Sequence, residues 1–146
     1  MSIDYYADTG FLISLYINET TTAAANSAVK AVTQPLPLMP LGFLELRNAL
    51  YLAVFKKQIQ ERIRRAAWQT MERDIHNRVF MKVQLDTDRL HDKAADLANK
   101  HSATAGTRTL DLVHVAAALL LGTKFFLSFD HRQRNVAKRE DLEILP

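Results

Sequence analysis

Between residues 110 and 121 the chain is apolar at almost every position, interrupted only by Asp111 and His114. A helix that is apolar nearly all round offers no face to water and is normally buried between other layers, so this segment is expected to pack closely against a sheet. The segments around it alternate in kind. Residues 3–7, 79–85, 124–129 and 142–145 have the short apolar or period-2 patterns of strands, and the proline-bounded stretch 34–40 holds a further short, edge-like one. Residues 11–17, 20–32, 41–55, 58–75 and 88–101 have helical spacing or composition, and Asp130 opens a last short helix. Turns are expected at Asp8-Thr9-Gly10 and over 102–106. Strands alternating with helices imply a mainly parallel sheet flanked by helices, because parallel neighbours need crossover connections.

With 146 residues, 48% of them apolar, and only four Gly and four Pro, the chain can bury one sizeable core, and a single domain over residues 1–146 is expected. No apolar run reaches membrane-spanning length, and the start Met-Ser-Ile-Asp-Tyr-Tyr-Ala-Asp lacks the basic opening and cleavage site of a secretory signal, so a cytoplasmic protein without a membrane partner is expected. Zero cysteines remove disulfides, thiolate metal sites and cysteine nucleophiles together. Any metal must be held by oxygen or imidazole. The net charge of +3 suits a polyanionic partner without requiring one.

Four carboxylates stand in unusual places. Asp8 and Asp130 each follow an apolar strand at once, which puts both at the carboxyl edge of a parallel sheet, where α/β sites form. Asp111 is in the first turn of the most apolar helix, and Glu45 lies beside Phe43, Leu44 and Leu46 early in another. Ionised groups in apolar surroundings are costly unless paired, so several together suggest a shared cation, and oxygen ligands point to Mg²⁺ or Mn²⁺. Each has a simpler reading alone: Asp8 and Asp130 as N-caps, Asp111 as a complement to the helix dipole, Glu45 as a solvated side chain. The combination carries the inference.

Tyr6-Ala7-Asp8-Thr9-Gly10-Phe11-Leu12, Leu44-Glu45-Leu46-Arg47-Asn48-Ala49-Leu50, Arg108-Thr109-Leu110-Asp111-Leu112-Val113-His114 and Leu127-Ser128-Phe129-Asp130 follow one another in an order and spacing that resembles the PIN domain, in particular its VapC-type toxin nucleases. The resemblance runs from Asp4 to Leu145. It implies an α/β/α sandwich with a mainly parallel central sheet and clustered acids that bind Mg²⁺ or Mn²⁺ to cleave RNA. Carried over by position, Asp8, Asp111 and Asp130 are expected to be metal ligands, with Glu45 completing the catalytic set. The resemblance also implies a small antitoxin partner and a homodimer. Two departures stand out: Gly10 replaces a hydroxyl residue common in the family, leaving Thr9 and Ser128 as candidate hydroxyls near the metal, and the usual glycine before the last strand is absent from Arg139-Glu140-Asp141-Leu142.

Asn48, one turn after Glu45, is a candidate to orient it, and Arg108 a candidate for a phosphate or an acid. His114 reads as a hydrogen-bonded core residue, and nothing extends the metal site to His131. Lys56, Lys57, Arg62 and Arg65 lie in a basic run suited to RNA phosphates, although charge runs are commonly solvated faces. Trp68, Met71 and Ile75 form an apolar stripe that can face the core, a second copy or an inhibitor helix. Two other functions compete with the nuclease: a PIN-like RNA- or protein-binding module without turnover, and a phosphoryl-transfer domain using Asp8 as acceptor. The latter wants a second acid beside Asp8, and Asp4 is four residues away.

Overall fold

A computed structural model describes residues 2–146 and shows a mixed α/β fold in which every strand pairing is parallel. Its contacts divide the described chain into two compact units, 2–8 with 84–146 and Thr9–Val83.

In the first unit β1 (Tyr5–Ala7), β4 (Phe125–Leu127) and β5 (Glu143–Leu145) form a three-stranded sheet with β4 in the middle. Ala7 pairs with Leu127, and Leu127 with Leu145, so the residues following β1 and β4 emerge at the same sheet edge. α7 (Thr109–Leu120) is buried at eight consecutive positions from Asp111 to Ala118, as its composition requires. It packs against α5 (Thr87–Leu97) and α8 (His131–Arg139). The helix expected over 88–101 does not stop there. α5 passes into a π turn, Ala98–Ser102, and then α6 (Ala103–Ala105), ending only where Gly106 takes φ 64°. Residues 102–105 are therefore helical rather than a loop, because small residues with no proline let the backbone ladder continue until a glycine accepts the left-handed conformation.

The second unit holds α1 (Thr9–Tyr16), α2 (Thr22–Val29), β2 (Leu36–Leu38), α3 (Pro40–Phe55), α4 (Glu61–His76) and β3 (Phe80–Lys82). α1 starts at Thr9, so no free Asp8-Thr9-Gly10 turn exists. β2 is buried at all three positions and pairs with β3, which is shorter than the alternation over 79–85 suggested. α3 begins with Pro40 at a position where its missing N–H costs nothing, and it buries Gly42, Leu46, Leu50 and Ala53 along one stripe. A Cβ on Gly42 would come within 2.7 Å of Leu38 Cδ1, so a larger residue there would require the buried Leu38 side chain to shift. The helical region 58–75 starts later than its composition suggested, since Lys57 has φ 60° and separates α3 from α4. The two helices are then clasped by Arg47 stacked 4.2 Å over Trp68 and Arg64 stacked 4.2 Å over Tyr51.

Among the described residues no helix is long and apolar enough to cross a membrane.

Candidate active site

Strand ends and helix starts in the first unit bring three of the four expected acids into one hydrogen-bonded network. Asp8, directly after β1, is only 2% exposed, and Ser128, directly after β4, donates its hydroxyl to Asp8 Oδ2. The same Ser128 Oγ accepts the backbone N–H of Asp130 at 3.0 Å. Asp130 is the N-cap of α8: its Oδ1 accepts the N–H groups of Arg132 and Gln133 at 2.9 and 3.0 Å. The simple capping reading of Asp130 is therefore realised, and it uses one carboxylate oxygen only.

Asp111, 4% exposed in the first turn of α7, is held from two sides. Its Oδ2 accepts from Arg108 N at 3.1 Å and from Arg108 Nε at 3.2 Å, and its Oδ1 accepts from Gln133 Nε2 at 3.2 Å. The Arg108 guanidinium also lies 3.6 Å from Asp130 Oδ2. Arg108 and Gln133 thus each join Asp111 to Asp130, closing a ring of charge-assisted contacts. The hydrogen bond and charge of Asp111, with a smaller contribution from Asp130, raise the Arg108 pKa above the ordinary arginine range.

Gln133 is the residue that sequence reasoning missed. It is 7% exposed, and its Oε1 has no hydrogen-bond partner among the described residues. An orphaned buried carbonyl is expensive and asks for a donor or a cation. The signal was present in Asp130-His131-Arg132-Gln133, which has the acceptor-x-x-Gln spacing of a capping box. Here Gln133 turns to Asp111 instead.

The remaining candidates fall on other elements. In the second unit Thr9 Oγ1 donates to Glu45 Oε1 at 3.0 Å, with Glu45 half-buried and Asn48 exposed on α3. Lys56, Lys57, Arg62 and Arg65 are all exposed at the end of α3 and the start of α4. His114 is buried, with its Nδ1 2.7 Å from Tyr6 Oη, and His131 is exposed.

The donor set suits a hard divalent cation: two deeply buried carboxylates, a third at the same sheet edge, an unpaired amide oxygen, and a guanidinium already serving as countercharge. In the rotamers present, no three His, Asp or Glu side chains among the described residues converge closely enough to enclose an ion. Arg108 reaches two of the acids instead.

The PIN domain family model matches residues 5–139. The chain belongs to the PIN domain family. Solved structures extend the likeness over nearly the whole PIN domain. VapC20 of Mycobacterium tuberculosis, described as a sarcin-ricin loop cleaving toxin, has a TM-score of 0.69 at 16% identity, covering 98% of this chain and 100% of that one. FitAcB of Neisseria gonorrhoeae gives 0.67 at 13% identity, covering 97% and 96%. VapBC-1 of nontypeable Haemophilus influenzae gives 0.58 at 18% identity, covering 96% and 95%. At such low identity the structural likeness shows a shared fold. No curated protein matches this PIN domain significantly in sequence.

Proposed function

We propose that the chain is a divalent-metal-dependent endoribonuclease of the VapC toxin type. The observation that carries this reading is the ring in which Arg108 and Gln133 hold Asp111 and Asp130 together, with Asp8 tied to Asp130 through Ser128. Buried carboxylates gathered at a sheet edge are a costly arrangement to keep without a cation to serve. Asp8, Asp111 and Asp130 are assigned as ligands of Mg²⁺ or Mn²⁺. Glu45, fixed by Thr9, is assigned as the fourth acid, with Asn48 in support. A divalent cation in such a set acidifies water and offsets charge on phosphate oxygens. The chain's own contribution is to keep Asp8 oriented through Ser128 and to hold Asp111 between Arg108 and Gln133.

The PIN family model spans both units, which supports reading residues 1–146 as one domain. The toxin-type neighbours support a small antitoxin as partner, and the exposed apolar residues Leu44 and Phe55, 63% and 81% exposed, supply a surface on α3 for an antitoxin or a second copy. Location in the cytoplasm accords with this role.

The test is cleavage of a panel of structured RNAs with Mg²⁺ or Mn²⁺, with EDTA, and with Asp8→Asn or Asp111→Asn protein. Cutting that needs metal and is lost in both variants supports the enzyme. Well-folded protein that neither cuts nor binds metal would leave the second reading, an RNA- or protein-binding module, which the neutralising position of Arg108 favours.

A further inference from the structure

We propose that Arg108 is an internal counter-ion that a divalent cation must displace, so that this side chain sets the metal concentration at which the site fills. The inference rests on the metal-site reading above and deepens it. Arg108 touches Asp111 through Nε at 3.2 Å and Asp130 through a terminal nitrogen at 3.6 Å, which places one fixed positive charge between two assigned ligands. A guanidinium and a divalent ion cannot both hold these oxygens, because they would compete for the same lone pairs and two positive charges at such separations repel.

The two halves of the Arg108 interaction differ in permanence. Its backbone N–H stays on Asp111 as part of the start of α7, while its side chain is 68% exposed and free to turn outward. Asp111 by contrast is buried and also fixed by Gln133. The mobile partner is therefore the arginine. Without metal it neutralises carboxylates that would otherwise repel one another. With metal, the buried Oε1 of Gln133 remains beside the site as an unpaired oxygen for the ion or its water.

The experiment is calorimetric titration of Mn²⁺ into wild-type protein, Arg108→Gln and Arg132→Gln. Arg132 is an exposed arginine in the first turn of α8, so its substitution removes the same charge without touching the Asp111 contact. Displacement predicts that Arg108→Gln binds Mn²⁺ about tenfold more tightly, the scale of one charge-assisted hydrogen bond, while Arg132→Gln is unchanged. It also predicts that metal-free Arg108→Gln melts below wild type and that saturating Mn²⁺ closes the gap, since coupling between two ligands of one site is reciprocal. Equal or weaker binding by Arg108→Gln, or equal tightening in Arg132→Gln, overturns displacement and leaves the metal site standing. Absence of Mn²⁺ binding in wild type and Arg108→Gln alike overturns the metal reading itself.

Discussion

Gln133 donates its side-chain amide to Asp111 across 3.2 Å while its backbone N–H binds Asp130, so one residue of α8 joins an acid of α7 to the acid that caps α8. Replacing it with leucine deletes a donor to a buried carboxylate and also the orphaned Oε1. The two stability effects oppose each other, because a lost hydrogen bond costs and a lost unsatisfied oxygen relieves. Gln133→Leu is expected to change unfolding free energy by no more than about 1 kcal/mol in urea titration while slowing RNA cleavage about tenfold. A loss of stability well above that range, with cleavage intact, would make Gln133 purely structural.

Asp130 has two separable duties, as N-cap through Oδ1 and as partner of Arg108 through Oδ2. Asparagine retains the cap and removes the charge, whereas alanine removes both. Asp130→Ala is expected to lose about 1 kcal/mol of stability and Asp130→Asn much less, with cleavage impaired in both. Full activity in Asp130→Asn would reduce this residue to a cap.

Tyr16 and Asp74 bind each other at 2.6 Å inside the second unit. Burial first, and then the hydrogen bond and charge of Asp74, hold the Tyr16 phenol far above its ordinary range. A raised folded-state value means that the unfolded chain releases this proton first. The contribution is therefore complete below about pH 10 and is lost progressively as pH rises beyond it. Urea midpoints measured from neutral to strongly alkaline pH are expected to fall less steeply for Tyr16→Phe than for wild type, although the variant starts about 1 kcal/mol lower. Parallel curves would show that this pair does not govern alkaline stability.

Lys56, Lys57, Arg62 and Arg65 are exposed, and salt dependence tests whether they meet RNA phosphate. If all four contact phosphate, their joint replacement by glutamine reduces the slope of log binding constant against log salt by about 3, at roughly 0.7 per contact on single strands. An unaltered slope would show these charges to be a solvated face.

Much of the fold was legible because it is written in local periodicity. The unbroken apolar character of 110–121 required a buried helix, and the apolar strand followed by Asp130 specified a capped helix start, since cap and N–H groups lie within three residues. The break between α3 and α4 at Lys57 and the continuation of α5 through a π turn into α6 were not legible, because a lysine rarely takes positive φ and nothing in 98–105 marks a stop.

The site divides along the same line. The sequence by itself determined which acids follow strands and begin helices. Only the tertiary structure decided that Ser128 meets Asp8 from 120 positions away and that Gln133, not a capping partner, supports Asp111. The first depends on the parallel register that sets Ala7 beside Leu127, and the second on the rotation of α8 against α7. Register and rotation are settled by the sum of many packing contacts, none of which is visible at the position of either partner.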